Sequence, residues 1–228
     1  MLSAEEWEII RLSLKVAAWS VAASLPFAYL IAYCLARRRS VWATLLDVLV
    51  TLPLVLPPVV TGFALLVLFG RTGVLGHWLD RWLGITLIFR WTGAALAAAV
   101  MSLPLMVRVM RIAIASVDPK LEGAARTLGA GPWRAFLTIT LPLSLPGIFG
   151  AVVLGFAKAL GEFGATITFV SNIPGETRTI PLAIYNLLQA PSGQTGAWRL
   201  CIVSVCVSVA AIVVTELLSR RMQQSATV

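Results

Sequence analysis

Lys158 and Glu162 interrupt an otherwise apolar run that extends from residue 135 to about residue 173. Their spacing of four residues places them on one face of a helix, where they can form an ion pair. Charges inside a long apolar segment are costly and often functional. Lys158 is therefore a candidate for biasing a path through this segment, and mutual neutralisation of the pair is the alternative. Gly161 and Gly164 flank Glu162 and predict a loosened helix at this point.

A second candidate region contains Pro53, Pro57 and Pro58, followed by Thr61 and Gly62. Proline removes a backbone donor and leaves a carbonyl without its helical partner. Within a membrane, such a gap is tolerated only where protein or water covers it. We interpret the prolines as a bend that lines a pore or lies near a gate, in preference to a kink that serves packing. The Thr61 hydroxyl is available to a passing polar group.

The elements that must position these residues are membrane-spanning helices. The chain has 228 residues, of which 59% are hydrophobic and only 12% are charged, whereas a soluble domain carries roughly 25% charged residues. This composition predicts an all-α integral membrane protein with a single domain over residues 1–228. Spans of roughly 20 residues are expected near 10–36, 46–70, 91–115, 138–170 and 197–219. The first is expected to stay as an anchor, because the N-terminal segment is acidic.

Charge placement indicates how these spans are oriented. The net charge of +8 arises from residues clustered at span ends, which argues against a nucleic-acid partner. Lys and Arg favour one set of ends, above all through the Arg37–Arg39 triplet, and cytoplasmic loops are the ones enriched in these residues. The N-terminus is therefore expected outside and the C-terminus inside. Two external loops follow, 71–90 with an interfacial tryptophan belt and 171–196 with a short interfacial or re-entrant helix at Ile180–Gln189.

A polar, glycine-punctuated segment at 118–142 lies between two apolar spans and must face water, since its turns cannot be satisfied in lipid. Asp118 and Pro119 predict a helix start, and Gly129 predicts a left-handed stop. Gly131 and Pro132 then predict a turn before the chain re-enters the membrane. A helix of about ten residues is marginal alone. It is expected to dock into a groove of a soluble partner through a stripe of Leu121, Ala125 and Leu128.

The sequence contains no pattern typical of a catalytic site. None of the three lysines, Lys15, Lys120 and Lys158, lies in a phosphate-binding loop. The single histidine, His77, has no cysteine or acidic cluster nearby in the sequence. We therefore expect no catalytic residues, no metal site, no cofactor and no ATP hydrolysis by this chain.

The polar segment resembles the cytoplasmic coupling motif of binding-protein-dependent ABC import permeases, which reads EAA-xxx-G followed by I-x-L-P. The matching residues are Ala124, Ala125, Gly129, Ile139, Leu141 and Pro142. The sequence departs from the motif at its leading acid, because Gly123 occupies that place and Glu122 comes one residue early. The resemblance implies that these residues, with Glu122 and Gly123, transmit movement from an ATPase.

Three longer stretches, Leu52–Gly76, Asp118–Ile148 and Lys158–Tyr185, resemble bacterial molybdate permease subunits. The resemblance implies a type I ABC importer permease fold (MetI-like) in the bacterial inner membrane. It also implies a homodimer in membrane lipid, two cytoplasmic ABC ATPase subunits and a periplasmic molybdate-binding protein. Permeases for sulfate, thiosulfate or tungstate remain the alternatives within this class. An ion-gradient-driven secondary transporter or channel is an alternative from another class, and it predicts several buried charges and no docking helix.

Overall fold

A computed structural model describes residues 2–38, 40–191 and 193–225, with side chains described as far as Val214. Within that part of the chain all regular structure is helical. The helices, in chain order, are α1 (Ala4–Arg37), α2 (Val41–Val55), α3 (Pro58–Phe69), α4 (Val74–Leu83), α5 (Trp91–Ala115), α6 (Pro119–Thr127), α7 (Pro132–Ala135), a π-helical segment (Phe136–Thr140), α8 (Leu141–Leu160), α9 (Gly164–Val170), α10 (Ile180–Leu188) and α11 (Gln194–Ser225).

The core forms where α1, α5 and α8 pack side by side, and it is built largely from small residues. The alanines at these contacts are completely buried, namely Ala17, Ala28, Ala32, Ala94, Ala97 and Ala151. Small side chains let membrane helices approach closely, which is how helix pairs associate when lipid is as apolar as the helices themselves. Larger residues such as Met106, Met110 and Ile114 fill the spaces between the alanine contacts. The alanine-rich composition of α1 and α5 is thus a packing feature.

The second predicted span is broken into two helices. The chain direction bends by 114° between α2 and α3, across Leu56 and Pro57. The cause is local, because Leu56 is extended, Pro57 lacks an N–H, and Pro58 starts α3 at its first position. The predicted proline bend is confirmed, and it is far sharper than a kink. Among the described residues, four helical segments are long and apolar enough to cross a membrane, and there are five if this bent pair counts as one span.

The prediction of one continuous helix over 138–170 is wrong. α8 ends at Leu160 and α9 begins at Gly164, so Glu162 lies in the break and not on a helical face shared with Lys158. The carboxylate explains why a new helix can start here, since Glu162 Oε1 accepts a hydrogen bond from the Ala165 N–H at 3.0 Å. A side chain that caps the next helix stabilises its free N–H groups. The helix was predicted to loosen at Gly161 and Gly164, and in the structure it is fully interrupted between Leu160 and Gly164.

The segment between α3 and α5 also differs from the prediction of a loop over 71–90. It contains α4, which starts after Gly73 and ends at Gly84, a residue in the left-handed conformation with φ +65°. Trp78 and Trp82 lie on this helix and are exposed. In the segment 171–196, by contrast, the predicted helix is present as α10.

Ion pairs lie at both ends of α1, which is about 51 Å long at about 1.5 Å per residue. At its start, Glu5 pairs with Arg178 at 3.0 Å and Glu6 pairs with Arg199 at 2.8 Å. At its other end, Arg37 pairs with Glu122 at 2.9 Å. Arg37, from the basic triplet that charge placement assigned to the cytoplasmic side, therefore lies at the opposite end of α1 from the acidic residues Glu5 and Glu6. Arg39 and the side chains of Arg220 and Arg221 lie outside the described residues.

Candidate functional site

The polar segment folds locally as its caps predict. Asp118 Oδ1 accepts a hydrogen bond from the Lys120 N–H at 2.9 Å, and Pro119 occupies the first position of α6. At the other end Gly129 takes φ +91°, and the Ala130 N–H then donates to the Ala125 carbonyl at 3.0 Å. A left-handed residue is strained unless it is glycine. The nine-residue helix α6 is thus specified by its own sequence.

One surface of α6 faces away from the rest of the chain. Leu128 is 89% exposed and Leu121 is 46% exposed, and α6 has no buried residue. A Cβ atom placed on Gly123 would meet no atom of this chain within 4 Å. The described chain therefore leaves Gly123, Ala124 and Leu128 free for contact with another molecule. The neighbouring Ala125 is half-buried, so the predicted stripe of Leu121, Ala125 and Leu128 is only partly open.

Glu122 is the residue that attaches α6 to the membrane-spanning helices. Its Oε1 accepts a hydrogen bond from Arg37 Nη2 at 2.9 Å, and the same oxygen accepts one from the hydroxyl of Thr140. Arg37 and Glu122 are mostly covered, with side chains 17% and 23% exposed, and Thr140 is fully buried. We call this set of Arg37, Glu122 and Thr140 the Glu122 clamp. Sequence reasoning identified Glu122 but found neither partner, because both are distant in the chain.

The π-helical segment brings the second half of the motif against the first. Thr140 ends this segment, between Ile139 and Leu141, so the clamp joins α6 to the I-x-L-P residues directly. Ile139 and Leu141 are half-buried, whereas Pro142 is exposed at the start of α8. These three residues therefore continue the chain towards the membrane-spanning part, while Gly123, Ala124 and Gly129 form the outward surface.

Four aromatic rings pack beside the clamp, and sequence reasoning missed them. Phe136 stacks on Trp133 at a centroid distance of 5.3 Å and contacts the edge of Tyr33 at 5.4 Å. Tyr29 lies 6.0 Å from the same ring, and its hydroxyl is 3.1 Å from Ser144 Oγ. The sequence signals for this cluster are two helical spacings, four residues between Tyr29 and Tyr33 and three between Trp133 and Phe136, each of which indicates a shared face. The cluster links α1 to the turn into α8.

Lys158 and Glu162 form the ion pair that the sequence offered as the alternative, although Glu162 lies outside the helix. Lys158 Nζ is 3.3 Å from Glu162 Oε2, with side chains 34% and 2% exposed. Because the other oxygen of Glu162 caps α9, this carboxylate is held from two directions. Lys158 keeps a third of its surface open. The lysine is thus the accessible member of the pair and Glu162 is the fixed one.

The two chain breaks lie against each other. A Cβ atom on Gly164 would come within 2.7 Å of Pro58 Cβ, and a Cβ atom on Gly62 would come within 2.6 Å of the Ala165 carbonyl oxygen. Only glycine allows α3 and α9 to approach so closely. Thr61 lies in the same turn of α3, where its hydroxyl is buried and has no hydrogen-bond partner among the described residues. The structure therefore brings most of the predicted pathway residues together: Pro57, Pro58, Thr61 and Glu162, with Lys158 beside Glu162.

α8 connects the two regions. It runs from Leu141 beside the Glu122 clamp to Leu160 beside the chain breaks, a length of about 30 Å at about 1.5 Å per residue. A membrane hydrocarbon core is about 30 Å thick. The outward surface of α6 and the paired breaks are thus connected by one continuous helix.

Comparison with known proteins identifies the family. The family described as "Binding-protein-dependent transport system inner membrane component" matches residues 24–224. The chain is 58% identical over 220 residues to the molybdenum transport system permease protein ModB of Escherichia coli (strain K12), covering 96% of each chain. It is 51% identical over 219 residues to ModB of Haemophilus influenzae, again covering 96% of each.

A solved structure has the same fold. It is that of a bacterial ABC transporter involved in the import of the acidic polysaccharide alginate, with a TM-score of 0.75 and 22% sequence identity. The match covers 96% of this chain and 80% of that chain. The predicted ABC importer permease fold is therefore confirmed. Together with the family match over residues 24–224, these likenesses show that the chain belongs to the binding-protein-dependent transport system inner membrane components.

Proposed function

We propose that this chain is the membrane-spanning permease subunit of an ATP-driven importer of molybdate. The proposal is carried by one observation, the outward surface of α6 held to the transmembrane helices by the Glu122 clamp. Sequence identity of 58% to a molybdenum transport permease, over 96% of both chains, supports molybdate as the substrate. Sulfate, thiosulfate and tungstate share its tetrahedral dianionic form and are the competing substrates within the same class.

The partner on the coupling side is a pair of cytoplasmic ABC ATPase subunits, which hydrolyse ATP while this chain acts without catalytic residues. The coupling segment 118–142 would receive their movement through Gly123, Ala124 and Gly129, where small residues permit close approach. Leu128, at 89% exposure, is the apolar side chain best placed to enter a groove on the ATPase. A nine-residue helix gains stability when its exposed face is covered in this way.

Movement of α6 has a direct route along α8 to the paired breaks. The Glu122 clamp ties α6 to Thr140, Thr140 ends the π-helical segment, and α8 continues from there to the break at Gly161. A displacement of α6 would therefore move α8 as a rigid body, which is a common form of two-state transition in transporters. Arg37 transmits the same displacement to the end of α1.

The pathway would lie near the contact of the two breaks, on a two-fold axis between two copies of this chain. One copy provides few helices, so a closed path requires a homodimer. Irregular backbone at membrane depth is tolerated where it lines a cavity, which fits the residues around Pro57, Pro58 and Gly164. Lys158 would attract the dianion and the Thr61 hydroxyl would be a neutral partner, whereas Glu162 is occupied as a cap.

The proposed location is the inner membrane of a bacterium, with the N-terminus in the periplasm and the C-terminus in the cytoplasm. The family description names an inner membrane component. Arg37, Arg38 and Arg111 lie on the α6 side, in agreement with the enrichment of basic residues in cytoplasmic loops. The opposite end, where Glu6 meets Arg199, would then face a periplasmic molybdate-binding protein that delivers the substrate.

The decisive experiment measures molybdate uptake into vesicles that contain this chain, its ATPase and its binding protein. We expect uptake that requires ATP and all three components. Added tungstate or sulfate tests the substrate: if sulfate at a concentration equal to that of molybdate abolishes molybdate uptake, sulfate replaces molybdate in the proposal. Uptake that persists without the ATPase, or that follows an imposed ion gradient, would contradict the whole assignment and favour a secondary transporter or channel.

A further inference from the structure

A groove at the α6 end of the molecule carries three arginines. It opens between the end of α1, α2 along its length and the last turns of α5, and it has cavities of about 630 Å³ and 430 Å³ that share Asp47 and Arg111. Arg38 lines the first cavity and Arg108 the second. We call this region the arginine groove. None of its residues belongs to the Glu122 clamp or to the paired breaks.

The arginine groove has an excess of positive charge. Arg111 Nη1 pairs with Asp47 Oδ2 at 2.8 Å, with side chains 42% and 40% exposed. Arg38 and Arg108 are exposed, and neither forms an ion pair with any residue that the structure describes. Two cations therefore remain available to an anion from outside the chain. Arginine binds phosphate well, since its planar guanidinium donates two parallel hydrogen bonds.

The second cavity is apolar along its α2 wall. Val48, Leu52 and Val55 line it, and they are 60%, 43% and 76% exposed. Arg108 lies three residues before Arg111, about one helical turn further into the membrane-spanning part of α5. A small inorganic anion would make no favourable contact with the apolar wall. An amphiphile that carries a phosphate beside an acyl chain matches both the arginines and the wall.

We propose that the arginine groove binds an anionic phospholipid of the leaflet on the α6 side. Arg108 and Arg111 hold the lipid phosphate, Arg38 adds to the positive field at the mouth, and one acyl chain lies along Val48, Leu52 and Val55. Basic pockets between transmembrane helices on the cytoplasmic side are suited to anionic head groups. The lipid would cover α2, whose only buried residues are Ala43 and Val50, and would thereby support the bent α2–α3 pair.

Native mass spectrometry of the purified full-length chain, titrated with phosphatidylglycerol or phosphatidylcholine, tests the proposal. We expect preferential binding of phosphatidylglycerol. Arg108→Gln leaves the Arg111–Asp47 pair intact and should weaken that binding about fivefold, and the double variant with Arg111→Gln about 25-fold. The matched control is Arg71→Gln, which removes an exposed arginine between α3 and α4 and should bind as the wild type does. Circular dichroism verifies that each variant is folded.

Three results would overturn the proposal. One is equal affinity of wild type and Arg108→Gln for phosphatidylglycerol. Another is displacement of the lipid by inorganic phosphate or molybdate at comparable concentration, which would assign the arginines to a free oxyanion. The third is efficient disulfide formation between two Val48→Cys chains in lipid, because a second copy of the chain would then occupy the groove. The permease assignment would be unaffected by any of these outcomes.

Discussion

Arg37 Nη2 donates a hydrogen bond to Glu122 Oε1 over 2.9 Å, although the two residues are 85 positions apart in the chain. The bond joins the last turn of α1 to the first turns of α6. The Thr140 hydroxyl donates a second hydrogen bond to the same Glu122 oxygen. A helix that is otherwise exposed is thereby fixed at one point. The family motif places an acid one residue later, and here the acid at 122 serves an internal contact.

Loss of this contact should separate ATP hydrolysis from transport. Glu122→Gln weakens a charge-assisted hydrogen bond of about 1.5–3 kcal/mol, so we expect molybdate uptake to fall about tenfold while the ATPase subunits still hydrolyse ATP. Uptake and phosphate release are measured in the same vesicles. Glu176→Gln is the control, because Glu176 is exposed in the segment between α9 and α10. If the Glu122 variant takes up as much molybdate per ATP hydrolysed as the wild type, the Glu122 clamp does not couple hydrolysis to transport.

The C-terminal end of α6 should be destabilised by any residue other than glycine at position 129. Gly129 has φ +91°, and a left-handed residue other than glycine costs about 1–2 kcal/mol. Gly129→Ala should therefore weaken binding of the ATPase subunits roughly fivefold or more. Gly131→Ala is the matched control, since Gly131 has φ −65° and a Cβ there meets nothing within 4 Å. Affinity is measured by titrating ATPase onto the detergent-purified permease, and equal affinities for the two variants would contradict the prediction.

Replacement of Gly62 by alanine should disrupt the packing of α3 against α9. A Cβ atom there would lie 2.6 Å from the Ala165 carbonyl oxygen, and overpacking of this kind costs about 1–3 kcal/mol. Gly62→Ala should lower the thermal unfolding midpoint of the purified chain by several degrees, at about 2–4 °C per kcal/mol. Gly150→Ala provides the comparison, because its nearest neighbour would be 3.8 Å away. A midpoint equal to that of Gly150→Ala would show that α3 and α9 separate easily.

Lys158 should be needed for transport and not for assembly. Its side chain is one-third exposed, and Glu162 keeps its hydrogen bond to Ala165 when the lysine is removed. Lys158→Ala should reduce uptake about tenfold with a normal yield of assembled complex by gel filtration, in line with the role of charged residues on ion pathways. Lys158→Arg retains the charge and should retain most of the uptake. Full uptake by Lys158→Ala would exclude the lysine from the pathway.

Features set by neighbouring residues were predictable from the sequence. Asp118, Pro119 and Gly129 define the limits of α6 through short-range capping, and Pro57 and Pro58 define a break because proline acts on its own backbone. Composition alone indicated helices that cross a membrane. In each case the cause lies within a few positions of its effect, and no tertiary contact is required.

Features set by distant contacts were not predictable in this way. The sequence shows Glu122 but not Arg37 and Thr140, which reach it only when α1 and the π-helical segment are in place. The break after Leu160 was underestimated, because its stability depends on Glu162 capping α9 and on α3 packing against Gly164. The helix α4 was missed because the Trp-rich segment was interpreted as a belt in a loop.

The π-helical segment determines which way the outward surface of α6 points. Its Leu141 N–H bonds to the Phe136 carbonyl, so this turn contains one residue more than an α-helical turn. One residue corresponds to a rotation of about 100° around the axis. Everything on the α6 side of the segment is therefore turned by that angle relative to an uninterrupted α8, and Trp133 comes to stack with Phe136 next to Tyr33. An extra amino acid in one turn thus sets the azimuth of the surface that α6 presents to a binding partner.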